Sequence, residues 1–265
     1  MFEDTKYKVA IANRVLTEVG LASGVLVSLG HISQRVPENP DRFIVKGRGY
    51  QLDALPRMKP EDMIVCDLDG NFVEGPPGST QCYEVKLHSS ILKARPDVNS
   101  VVHVHPRFAV MMSVLQARLV PMCNEGSQLV RRPLPVYRHN KIVQTDAEGM
   151  ECARLLGDGN ALLLLGHGIA TCGASMAQSF GNAYNLEEQA RMNWYAYCAA
   201  GPEHPGIPEE LLNERGSNRN ELPHFAGRVE EVASAQQARG QAAEGGGVWL
   251  YYNDVVEQRM KQEGL

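Results

Sequence analysis

No pair among the six cysteines (Cys66, Cys82, Cys123, Cys152, Cys172 and Cys198) has Cys-x-x-Cys spacing. Such scatter suits neither a zinc knuckle nor a disulfide scaffold, so the thiols are expected reduced and mostly buried as small apolar groups. No long apolar span occurs either. Ala161–Leu165 is the nearest approach, and it reads as a buried strand, which argues against a helical membrane anchor. Met1 to Gly20 carries charges throughout and has no apolar centre of the signal-peptide kind; the expected location is the cytoplasm. Charge of one sign is also missing. A net −5 over 265 residues, with both signs interspersed, argues against nucleic acid or an anionic membrane as a partner. There is no internal repeat, and the length permits one sizeable core.

What is present centres on Ser100-Val101-Val102-His103-Val104-His105-Pro106. Two histidines two apart in a β-branched apolar run lie on one face of a strand. Pro106 ends the run and leaves the second imidazole where a site can open. Two readings fit these residues alone: a buried pair bonded to backbone carbonyls, or half of a metal site.

The rest of the chain alternates in type. Asp4–Leu21 has apolar residues near helical spacing and Gly20 to end it. Ser28–Arg35 is a short strand or turn, Arg42–Lys46 a strand, and Gly47-Arg48-Gly49-Tyr50 a glycine-flanked loop. There Arg48 adds a planar cation suited to a carboxylate or phosphate. Met63–Asp67 and Phe72-Val73 form a hairpin through Asp69-Gly70. Tyr83–Arg95 reads as a helix stopped by Pro96, with Glu84 and His88 four apart on one face. Taken alone, that pair reads as a surface hydrogen bond rather than as a site. Phe108–Leu115 continues as a helix, and Val120–Val136 as surface loop and short strand. Asp146–Leu156 is helical, and Ala161–Leu165 is a strand running into Gly166-His167-Gly168. A histidine between glycines at a strand's end has room and exposure, which suits a functional role. Ser175–Ala200 is a long helix made partly polar by Glu187, Glu188 and Arg191. Beyond Gly201 the texture loosens, with weak periodicity from Asn213 to Gly247, before a last helix over Val248–Met260. The pattern is an α/β domain over residues 1–210 and a C-terminal extension over 211–265.

Glu84, His103, His105 and His167 together make a set. Three neutral imidazoles and a carboxylate on strand ends and a helix can hold a divalent transition ion, with a position left for substrate. A glutamate that alternates between ligand and proton carrier suits a lyase.

The order and spacing of these residues resemble the class II aldolase/adducin family. The matching pieces are Glu84-x-x-x-His88, the run Ala94 to His105, and Gly166-His167-Gly168 followed by Thr171-Cys172-Gly173. The Gly30-x-x-Ser33-x-Arg35 turn and the Asp67-Leu68-Asp69-Gly70 hairpin fall in the expected places. The resemblance extends to about Ala200. It implies a three-layer α/β/α fold with a central β-sheet, a divalent metal (Mn²⁺, Zn²⁺ or Fe²⁺) on His103, His105 and His167, and Glu84 as ligand or acid/base. It also implies a homo-oligomer, commonly a tetramer, with active sites between subunits and the C-terminal helix at an interface. Tyr251 and Tyr252 of that helix would either pack as an aromatic face or reach a neighbour's site.

The departures from the family's sugar-phosphate members point to the substrate. Those members bind phosphate with an Asn in the first turn, a Ser-Gly pair in the next loop and Ser-Ser before the Glu. Here His31, Gly47-Arg48-Gly49 and Cys82-Tyr83 stand in those places. Pro106-Arg107 replaces a small hydroxyl residue after the His-x-His. His31, Arg48 and Arg107 are therefore the expected substrate-binding residues, better suited to carboxylates than to phosphates. This variation resembles the decarboxylase branch, whose members act on dihydroxyphthalates or 3-hydroxy-2-methylpyridine-4,5-dicarboxylate. The alternatives are an aldolase or epimerase of a short sugar phosphate or sugar acid, and a non-catalytic scaffold like adducin.

Overall fold

The run Ser100–Val104 forms β6, and all five of its residues are buried. Only a strand covered on both faces accommodates such a sequence, so β6 sits in the middle of the sheet. In a computed structural model of the chain, residues 1–49, 52–214, 227–228, 230–231, 234 and 246–265 are described. Tyr50 of the glycine-flanked loop, and most of the stretch from Asn213 to Gly247 that reads as weakly patterned, lie outside the described residues.

In chain order the described elements are α1 (Glu3–Glu18), β1 (His31–Val36), β2 (Asn39–Arg48), β3 (Met63–Asp67), β4 (Phe72–Glu74), β5 (Thr80–Gln81), α2 (Val85–Ala94), β6 (Ser100–Val104) and α3 (Arg107–Val114). Then follow α4 (Ser127–Val130), β7 (Val136–Tyr137), α5 (Asp146–Leu156), β8 (Ala161–Leu164), β9 (Gly168–Gly173), α6 (Met176–Ala200), α7 (Glu209–Asn213) and α8 (Gly247–Gln262). The sheet order is β4-β3-β2-β1-β6-β9-β8-β7, with β5 added alongside β2. Neighbours are antiparallel except β7 and β8.

Alternation along the strands splits the core in two. Val102 and Val104 of β6 join α1, α3, α6 and α8 in one apolar cluster, with Leu16, Ala109, Phe180 and Met260. Val101, together with Phe43, Leu162 and Cys172, joins α2 and α5 in the other. The expected three-layer α/β/α arrangement with a central sheet is what forms.

Local chemistry explains the element ends. α5 begins with a capping box, Thr145 accepting from the Glu148 N–H while the Glu148 carboxylate accepts from Thr145 N–H. α2 stops at Arg95-Pro96 as expected, but it starts only at Val85, which leaves Glu84 at its N-cap rather than inside it. β2 runs further than the sequence suggests, through Gly47 and Arg48. The reason is β5, whose Thr80 and Gln81 supply backbone partners to those two residues.

α8 packs on its own chain. Trp249, Val256 and Met260 are buried in the α1–α6 side of the core, and Trp249 meets Phe180 with ring centres 5.1 Å apart. Arg259 pairs with Glu18, and Arg14 with Glu263, tying the last helix to the first. Tyr252 packs against this core, while Tyr251 is exposed. Among the described residues no helix is long and apolar enough to cross a membrane. Removing the indole with Trp249→Ala is expected to cost about 3 kcal/mol of unfolding free energy in urea, the usual result of emptying an aromatic core position.

Candidate metal centre

His103 is fully buried near the end of β6. Its Nδ1–H donates to the Ile169 carbonyl on neighbouring β9 at 2.9 Å, which turns Nε2 toward the site. There Nε2 lies 2.7 Å from Glu84 Oε2 and 2.9 Å from His105 Nε2. His167 occupies the β8–β9 turn and brings its Nε2 to 3.6 Å from Glu84 Oε1. One donor atom from each of Glu84, His103, His105 and His167 lies within 4.8 Å of all the others. Glu84 is steadied by the Val143 N–H, which donates to Oε1 at 3.2 Å.

This packing needs a proton or a metal ion between its groups. With its hydrogen committed to Ile169, a neutral His103 aims a lone pair at a carboxylate oxygen and at a second imidazole nitrogen. Such a meeting is stable only with a proton or a metal ion between the groups. The electrostatics show the same demand. Burial by itself raises the Glu84 carboxyl, but His103 and His167 outweigh it and hold the group far below the ordinary carboxylate range. Burial lowers His103, but Glu84 and the Ile169 carbonyl more than offset it and the net shift is upward. His105 is pushed down to about 3 by burial, then by His103 and His167, which outweigh the opposing pull of Glu84. Three imidazole nitrogens and a carboxylate converging from four directions fit a divalent transition ion.

Glycine makes the convergence possible. A Cβ on Gly168 would lie 2.5 Å from the Val104 carbonyl oxygen and 2.9 Å from the His105 ring. Gly166, at φ +64°, takes the left-handed conformation that turns the chain before His167.

The three expected substrate-binding residues have different neighbours. His31 lies directly across from His103 in the β1–β6 register, with ring centres 5.5 Å apart. Arg48 stacks on the Tyr83 ring at 4.0 Å, beside Glu84 in sequence, and its Nη1 lies 3.6 Å from Asp53. Arg107 is the exposed first residue of α3, with its guanidinium beside Gly24.

Two supporting residues escaped the sequence reading. His88 is no surface partner of Glu84; it is fully buried between His31 and Ser33. Burial, then His103, pushes it down to about 3. Glu187 is not part of a solvated helix face: its carboxylate reaches from α6 to accept from the Phe108 and Ala109 N–H groups at 3.0 and 2.9 Å. It thereby caps α3 just past His105, and burial pushes it up to about 6 against those two hydrogen bonds. A helical glutamate spaced among other polar residues carries no sequence signal for such a role.

Gly168→Ala is expected to lose about 1–3 kcal/mol of stability and to weaken zinc or manganese binding, read by denaturation and by metal titration. The buried His88 sets a pH dependence. Its value falls from 6.5 unfolded to about 3 folded, so its contribution is whole above pH 6.5 and is lost as pH falls toward 3. From pH 6.5 to 5 the metal-free protein should lose about 2 kcal/mol on its account, a loss that His88→Gln removes. The raised His103 acts with the opposite sign, so the two proteins are compared at each pH.

Residues 8–194 match the profile of the Class II Aldolase and Adducin N-terminal domain. The chain is 33% identical over 228 residues to a 3,4-dihydroxyphthalate decarboxylase from Arthrobacter keyseri, covering 83% of this chain and 86% of that one. Among solved structures it resembles an aldolase II superfamily protein from Pseudomonas syringae, with a TM-score of 0.72 and 23% identity over 99% of this chain and 94% of that one. An L-fuculose 1-phosphate aldolase from Glaciozyma antarctica PI12 superposes with a TM-score of 0.67 and 23% identity, over 80% of each chain. With the profile matched across most of its length, the chain belongs to the class II aldolase and adducin family.

Proposed function

We propose that the protein is a divalent-metal-dependent decarboxylase of a hydroxylated aromatic or pyridine dicarboxylate, such as a dihydroxyphthalate or 3-hydroxy-2-methylpyridine-4,5-dicarboxylate. The observation that carries this reading is the likeness to a 3,4-dihydroxyphthalate decarboxylase over most of both chains. The His103, His105, His167 and Glu84 cluster supports it, because the donor set expected of such an enzyme is complete.

A Mn²⁺, Zn²⁺ or Fe²⁺ ion held by His103, His105 and His167 would supply Lewis acidity for the negative charge that develops beside the hydroxyl-bearing carbon. The protein's own residues do the rest. Glu84, whose carboxylate faces the cluster, is the base that takes the proton of the ring hydroxyl. When the carbon–carboxylate bond breaks, its electron pair stays on the ring and CO₂ departs. Glu84 then returns the proton to that carbon. His31 faces the same space from β1, while Arg48 on the Tyr83 rim and Arg107 at the start of α3 are cations for the carboxylate that stays. A cytoplasmic homotetramer, with sites between subunits and the extension beyond residue 210 near an interface, belongs to the same reading. Of Tyr251 and Tyr252, the exposed Tyr251 is the one free for such a contact.

Metal-loaded protein is expected to release CO₂ from 3,4- or 4,5-dihydroxyphthalate or from the pyridine dicarboxylate. Turnover of fuculose 1-phosphate or ribulose 5-phosphate with no CO₂ from these acids would establish the aldolase or epimerase alternative. Failure to bind any divalent metal would favour the scaffold. Glu84→Gln keeps the size of the side chain and removes its titration, so turnover should fall by about 10²–10⁴-fold with the fold intact. Near-normal turnover in that variant excludes Glu84 as the proton carrier.

A further inference from the structure

Beside the metal cluster runs a second line of buried polar side chains, of which the chemistry above uses only His31. His31 Nδ1 lies 2.7 Å from His88 Nε2, and His88 Nδ1 lies 2.7 Å from Ser33 Oγ. His31 is 5% exposed, and His88 and Ser33 are fully buried. Each short contact holds one hydrogen, and a neutral imidazole has only one to place. The choice made at Ser33 therefore dictates the choice at each ring in turn.

Two acceptors compete for the Ser33 hydroxyl. His88 Nδ1 is at 2.7 Å, whereas the Val101 carbonyl is at 3.5 Å, the limit of a hydrogen bond. The hydroxyl hydrogen goes to His88 Nδ1. His88 must then carry its own hydrogen on Nε2 and donate to His31 Nδ1. His31 in turn carries its hydrogen on Nε2, at the edge away from His88. Because Nδ1 of each ring accepts a hydrogen bond, neither ring carries a second proton, and both are neutral.

We propose that Ser33 and His88 are positioning residues that lock His31 as its neutral Nε2–H tautomer. The centre thereby offers its substrate a fixed, uncharged hydrogen-bond donor. His31 stands in register with His103, ring centres 5.5 Å apart, so a ligand held at the metal cluster is within its reach. A lone pair at that position would repel a carboxylate or phenolate oxygen. An imidazolium would add charge beside a site already built for a cation. The neutral donor avoids both costs. That the oxygen belongs to an aromatic carboxylate or phenol rests on the function proposed above; the lock itself does not.

The test uses ¹⁵N-histidine-labelled full-length protein, zinc-loaded and metal-free, with ring signals assigned through His31→Asn and His88→Gln. Long-range ¹H–¹⁵N spectra are expected to show the Nε2–H tautomer at His31 and His88. In Ser33→Ala, His31 should lose its single tautomer, with metal content unchanged. An Nδ1–H tautomer at His31 in the native protein, or an unaltered His31 pattern in Ser33→Ala, overturns the proposal. Should Ser33→Ala fail to fold, the His31 signal in His88→Gln decides in the same way. With 3,4-dihydroxyphthalate, Ser33→Ala should raise KM about tenfold with little change in kcat, the size of one hydrogen bond to a charged group. Adding Ser33→Ala to His31→Asn should then change KM no further, whereas an equal effect in both backgrounds counts against the lock. Absence of turnover by the native enzyme tells against the proposed substrate class, while the tautomer seen in the spectra still decides for or against the lock.

Discussion

The contact on which this site depends is the approach of His103 Nε2 to the Glu84 carboxylate at 2.7 Å in a fully buried setting. With the other ring nitrogen donating to Ile169, this geometry demands positive charge between the two groups. Everything around it either maintains that geometry or responds to its field. His105 and His167 bring further nitrogens to the same point, and His105, set among imidazoles, is driven toward its neutral, ligating form. A buried carboxylate kept ionised by its neighbours is costly unless it is paired, which makes the place a candidate cation site.

The architecture serves this point through the sheet. β6 holds a central position, and its neighbours each contribute to the cluster from a different direction. β1 places His31 opposite His103, β9 supplies the Ile169 carbonyl, and the β8–β9 turn carries His167. α2 delivers Glu84 at its N-cap, and α6 reaches across through Glu187 to fix the start of α3 just past His105. Candidate ligands mounted on the ends of rigid elements are held within the small tolerance that metal binding would require. The absence of a side chain at Gly168 belongs to the same design, since any Cβ would displace the His-x-His strand.

Much of this was legible in order and spacing. The β-branched run around His103, the glycines flanking His167 and the Glu84–His88 interval were enough to indicate a metal set and the family. The α/β alternation indicated the layers. What could not be read was the environment of side chains whose partners are distant in sequence. His88 looks like a surface residue by its interval from Glu84, yet His31, 57 residues away, buries it through β1. Glu187 sits among polar helix residues, and its backbone partners are 78 and 79 residues upstream. Arg48 lies in a strand rather than a loop because β5 returns to pair with it.

The sequence by itself determined which residues could bind a cation and which element each would ride on, because strand alternation, helix capping and glycine conformations are local properties. The tertiary structure alone decided how close those residues come and what charge they carry. Distances between β1, β6, α2 and α6 follow from packing, and desolvation is a property of the finished core. Only there does the unassuming trio of Ser33, His88 and His31 become a chain of hydrogen bonds reaching the candidate metal centre.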